Sequence, residues 1–185
     1  MNNFKERLKR INSHKGLLLY LALVVSELKV VGQLSDLEPE TQNWIPKAEQ
    51  LLHLQIPTDN FYGPGAAILM VPFVIFKGTS YLSNYFYLIL GSAAYWKLSN
   101  FIQTPRLRLI ALAALPCNFY LIWLIDSSQD TVFEFALLSW SVLFLVKKRV
   151  AWFIFITFLL CETRAGYWVY FLGISTVFLV REFVL

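Results

Sequence analysis

The chain has 185 residues, 57% hydrophobic and 15% charged, with a formal net charge of +4 and a mean hydropathy of +0.56. So large an apolar fraction exceeds what a water-soluble domain of this length can bury, so the composition excludes an ordinary soluble enzyme and predicts an all-α integral membrane protein. The 16 Lys and Arg residues gather at the ends of apolar runs and form no single patch, which argues against nucleic acid and makes a lipid bilayer the expected partner.

Residues 1–16 are a basic N-terminal segment, with "FKERLKRINSHK" at 4–15. The apolar run 17–34 follows, and it has no small-x-small cleavage pattern, so it reads as an uncleaved anchor with a cytoplasmic start. The segment 33–62 is an outer loop. Within it Trp44, Ala48, Leu51 and Leu52 share one helical face while Asn43, Lys47 and Gln50 lie off it, which predicts a short amphipathic helix lying on the outer surface. Asn43 is the expected N-cap, with Pro46 in the first turn. "GPGAAILMVPFVIF" at 63–76 is apolar but reaches only ~20 Å at ~1.5 Å per residue, against a hydrocarbon core of ~30 Å. Further apolar runs at 81–102, 109–125, 131–146, 150–161 and 167–180 complete the chain.

The length of 63–76 decides the expected topology. If it crossed fully, Arg106, Arg108, Lys147, Lys148 and Arg149 would lie opposite the basic N-terminus, against the positive-inside tendency. A re-entrant or interfacial helix there puts every basic cluster inside. The expectation is therefore one polytopic domain over 1–185, about six transmembrane helices, and both termini cytoplasmic. The loop 35–59, the turn 126–130 and "ETR" at 162–164 then share the outer side. Tyr62, Tyr167, Trp168 and Tyr170 read as interface-belt aromatics. Cys117 and Cys161 lie in apolar runs without metal-ligand spacing and are expected as packed free thiols.

Glu134 lies one turn into an apolar helix after Asp130, where a carboxylate must face the bundle interior or a wet cleft. With Asp126, Asp130 and Glu162 it is a candidate for lining a polar pocket. Asp36-x-Glu38 offers two oxygen ligands to Mg²⁺ or Mn²⁺, a weak metal signal, and no cofactor is otherwise expected. His53 has only a generic acid-base claim. No HExxH, GxSxG, CxxC or phosphate-loop pattern occurs.

The order of parts resembles the N-terminal module of the GT-C glycosyltransferases, of the dolichyl-phosphate-mannose protein mannosyltransferase and aminoarabinose transferase type. The resemblance rests on an acidic loop followed by Trp44 and Ala48, the Leu51-Leu52 pair, "YGPG" at 62–65, "SSQDTVFEFALLSWSVLFLV" at 127–146, and "CETRAGYWVYFLG" at 161–173. It implies a GT-C-like fold and transfer of a sugar from a polyprenyl-phosphate donor to an acceptor on the outer face. It also implies Glu40 as catalytic base, with Asp36 and Glu38 as near alternatives. The same resemblance requires a phosphate-binding cation, for which Arg164 and Lys47 are the candidates, and Tyr62 joins the pocket-lining residues. The alternative for Arg164 is a pairing with Glu162 or Asp130. The family has Asp, Tyr and a second Pro where this chain has Glu40, Trp44 and "YGPG", and its members run to several hundred residues, so another membrane subunit supplying the remaining half is a further partner to consider. Two other functional readings stand beside transfer: a non-catalytic membrane subunit, and a small ion-conducting or transporter bundle using Glu134.

Overall fold

In the computed structural model of the chain, residues 14–34, 41–55, 64–76, 82–118, 129–164 and 166–184 are described, and all regular structure among them is helical. The helices are α1 (His14–Leu34), α2 (Thr41–Leu52), α3 (Gly65–Ile75), α4 (Leu82–Ser99), α5 (Pro105–Ala114), α6 (Gln129–Val146), α7 (Val150–Thr163) and α8 (Tyr167–Val184).

The boundaries follow local chemistry. Pro64 precedes α3 and Pro105 opens α5, both in positions where a missing amide costs nothing. α6 ends in a tight turn in which Arg149 N–H reaches Phe144 O at 2.9 Å and Lys148 takes a left-handed φ of 55°. This is the usual helix stop, made here without glycine. α2 begins at Thr41, so Asn43 lies inside the helix and is not its cap. Pro46 then falls in the second turn, where its missing amide removes one intrahelical bond. On its buried face Trp44 and Ala48 are enclosed and Leu51 is half-buried, whereas Leu52 is exposed.

α4 and α6 form the centre. Gly91 permits their approach: a Cβ there would lie 2.6 Å from the Phe135 ring. Tyr87 meets Phe133 edge to face and Lys97 lies over Trp140, so the two helices run in the same direction. α6 and α7 form an antiparallel hairpin tied by the buried Ser141–Thr157 hydroxyl pair at 2.7 Å. α8 returns along α7 through Phe153–Phe171 and Phe158–Trp168 ring contacts. α2 and α3 pack together, and α1 lies on α4 through Tyr20 and Trp96. One core cluster runs through Leu28, Trp44, Ala66, Met70, Leu88 and Phe133. Each large side chain buried there stabilises the fold by about 1.5–3 kcal/mol.

This architecture corrects the sequence expectation of a multi-pass integral membrane protein. Among the described residues no helix is long and apolar enough to cross a membrane. α3, α5 and α7 have 11, 10 and 14 residues, which at ~1.5 Å each gives about 15–21 Å against a ~30 Å core. α4 has 18 residues but includes Ser83, Asn84, Ser92, Lys97 and Ser99. The run 109–125 does not persist either, since α5 closes at Ala114 and a turn follows to Cys117. The six spans, the re-entrant role of 63–76 and the location of both termini across a bilayer therefore fall together. The basic segment is outside the described residues up to position 13, as are the stretches 35–40 and 56–63 of the outer loop. Both cysteines are free, Cys161 buried as expected and Cys117 exposed.

Candidate functional site

The segment between α7 and α8 is where the sequence motifs meet. Thr163 ends α7, its hydroxyl donating to Leu160 O at 2.6 Å and so satisfying one of the carbonyls a helix end leaves open. Arg164 is then fully extended, and Tyr167 N–H returns to Arg164 O at 3.1 Å to start α8. The first residue of α3 lies directly against this bend. A Cβ on Gly65 would come within 2.7 Å of the Glu162 carbonyl carbon and 2.8 Å of Thr163 N, both backbone atoms that cannot swing away. A residue without a Cβ at position 65 is what lets α3 start against the end of α7.

The hairpin places Glu134 opposite Arg164. Arg164 Nε lies 3.2 Å from Glu134 Oε1, with the arginine side chain 49% exposed and the glutamate 10%. Their geometry is an ion pair without a directed hydrogen bond to Oε1. The Tyr167 hydroxyl donates to the other oxygen, Oε2, at 2.9 Å. Burial pushes the Glu134 carboxyl above its ordinary pKa, and the Tyr167 hydrogen bond and the Arg164 charge offset only part of that rise. The Tyr167 phenol is also raised, first by burial and then by the adjacent carboxylate. Burial also raises the Tyr170 phenol, further along α8.

Of the candidate site residues, the fold brings Glu134, Arg164 and the backbone of Glu162 to one place, with the start of α3 beside them. Arg164 pairs with Glu134, a partner the sequence did not single out for it, and the side chain of Asp130 lies outside the described residues. Lys47 sits on α2 with its ammonium 4.4 Å from the Trp44 ring centroid, held there by a cation–π contact. His53 is exposed at the end of α2. Asp36, Glu38, Glu40, Tyr62 and Asp126 lie outside the described residues, as does the side chain of Asp130. Among the described residues no group of His, Cys, Asp and Glu gathers to hold a metal ion, and the weak Mg²⁺ or Mn²⁺ ligands, Asp36 and Glu38, fall outside them.

Reading Tyr167 as one of several interfacial aromatics misses its bond to Glu134. A signal for it exists in the hairpin register. Ser141 and Thr157 lie eight residues either side of Arg149, and Glu134 and Arg164 lie fifteen either side. Chemically, an arginine whose side chain is half exposed at a helix junction beside a buried carboxylate carries planar paired donors of the kind that match oxyanions. No family model, curated protein or solved structure matches the chain.

Proposed function

We propose that the chain transfers a sugar from a polyprenyl-phosphate donor to an acceptor hydroxyl, in the manner of the GT-C glycosyltransferases it resembles. The observation that carries this reading is the convergence of two resemblance segments distant in sequence: Gly65 of "YGPG" abuts Glu162 and Thr163 of "CETRAG". Arg164 leaves that junction with its side chain half exposed.

In this reaction the Glu40 carboxylate takes the proton of the acceptor hydroxyl as its oxygen attacks the anomeric carbon. The bond from that carbon to the phosphate oxygen breaks, and the electron pair leaves on the polyprenyl phosphate. Arg164 offers two parallel N–H donors to the phosphate oxygens as negative charge collects there. Glu134 and Tyr167 are positioning residues, because they fix the bend from which Arg164 projects. The cation-guiding alternative has little to support it, since Glu134 is engaged by Arg164 and Tyr167.

The test is release of polyprenyl phosphate from a panel of polyprenyl-phosphate sugars by the full chain, with Glu40→Gln alongside. Loss of a positioned base is expected to cost about 100-fold or more in rate. Equal turnover by the variant would remove Glu40 from the mechanism, and binding without turnover by the parent chain would favour a non-catalytic subunit.

A further inference from the structure

α7 turns one side to the bundle, where Phe153, Thr157 and Leu160 are buried. On its other side Val150, Ala151, Trp152, Ile154, Phe155 and Phe158 are exposed. At 3.6 residues per turn these positions sweep one continuous side of the helix, and none of them is polar. Other exposed helix faces are interrupted: α1 carries Ser26 and Lys29 on its surface, and α5 carries Arg106. The α7 strip also extends onto its neighbours. Phe158 meets Trp168 of α8 edge to face with centroids 6.2 Å apart, and Trp152 stacks on Phe144 of α6 at 5.9 Å. Trp152, Phe155, Phe158 and Trp168 are between 38% and 54% exposed. Their rings alone present on the order of 400 Å² of apolar surface, a size that marks an interaction surface.

Charge of one sign borders this strip. α6 stops in the turn Lys147-Lys148-Arg149, all three exposed and immediately before Val150. Lys148 N–H donates to Leu145 O and Arg149 N–H to Phe144 O, each at 2.9 Å, so the turn is a fixed part of the fold. Lys97 stands on the same side of the bundle, over Trp140, whose ring lies 5.3 Å from that of Phe144. No Asp or Glu occurs between Glu134 and Glu162, so a second copy of this stretch has no carboxylate there to offer the cations. A bilayer containing anionic lipid answers both features, with acyl chains for the aromatic face and phosphates for the turn. Lying on such a surface requires one apolar face and not the length to cross it.

We propose that the outer face of α7 docks flat on the surface of an anionic lipid bilayer. Trp152, Phe155 and Phe158 enter the boundary of the acyl chains, and Lys147, Lys148 and Arg149 hold the headgroup phosphates. This surface is independent of the reading given to Arg164, and either can fail without the other. The test is co-flotation of the full chain with vesicles of phosphatidylcholine and of an equal mixture of phosphatidylcholine and phosphatidylglycerol. The parent chain is expected to favour the anionic vesicles about tenfold or more, and high salt should erase the preference. Lys147→Gln, Lys148→Gln and Arg149→Gln together should also erase it while leaving binding to neutral vesicles. Ile154→Gln with Phe155→Gln should weaken binding to both vesicle types about tenfold. These side chains are exposed, so the melting temperature should stay near the parent's. Quenching of tryptophan fluorescence by brominated acyl chains gives a second reading, and it should fall in Trp152→Phe. A parent chain indifferent to phosphatidylglycerol, or quenching unchanged in Trp152→Phe, would overturn the proposal. Equal loss of binding from Leu19→Gln on α1 would overturn the assignment to α7. A vesicle-free dimer dispersed by the Ile154 and Phe155 changes, with no anionic preference, would give the face to a second copy instead.

Discussion

Glu134 stands between two opposing influences, and its balance sets a pH dependence. Burial raises its pKa above the ordinary 4.5 by more than Tyr167 and Arg164 lower it. The folded chain therefore holds this proton more tightly than the unfolded chain does. Stability is greatest below the unfolded value, falls as pH rises through the raised folded value, and is level above it. Denaturant midpoints measured from pH 4 to pH 8 should show that fall in the parent chain. Glu134→Gln keeps an acceptor for the Tyr167 hydroxyl but does not titrate, so the fall should flatten. An unchanged pH slope in the variant would mean that Glu134 is not the group responsible. The residue's interior position was legible in the sequence, because a carboxylate one turn into an apolar helix has nowhere else to go. Its partners were not, because Arg164 has several acids near it along the chain and only the hairpin register brings Glu134 among them.

Between elements, the glycines separate two physical situations. Gly65 stands where α3 touches the backbone of α7, and a methyl group there must displace main chain. Gly65→Ala is expected to cost about 1–3 kcal/mol, the range for overpacking a fitted interface. Gly173 lies inside α8, and a Cβ added to it would meet nothing within 4 Å, so Gly173→Ala should stabilise by about 0.5–1 kcal/mol through helix propensity. Urea denaturation of both variants checks the pair, and equal effects would contradict the packing described for α3 against α7. The helices themselves were largely readable from apolar runs punctuated by Pro and charge. Their lengths were less so. "PRLRLIALAALPCNFYLIWLI" reads as one apolar run from 109 onward, but α5 starts at Pro105 and closes at Ala114. Counting apolar side chains registers hydrophobicity and does not register where a helix stops.

Among the described residues the chain is a helical bundle with large apolar side chains on its exterior, where Leu19 is 74% and Val169 76% exposed. Composition alone leads to membrane-spanning helices because it sums apolar residues without asking whether one continuous helix carries enough of them. The described helices do not. The approach of Gly65 to Glu162 and Thr163 joins segments so distant in sequence that it is a tertiary fact spacing cannot supply. At that junction the account depends most on Arg164. The most direct measurement is sugar transfer from a polyprenyl-phosphate donor by the parent chain, Arg164→Gln and Arg164→Lys, with KM and kcat resolved. A phosphate-binding role predicts a fall in kcat/KM of about 100-fold or more for Arg164→Gln and partial recovery with Lys, which keeps the charge but not the paired donors. Transfer by Arg164→Gln at the parent rate, or no transfer by the parent chain from any donor, would contradict it.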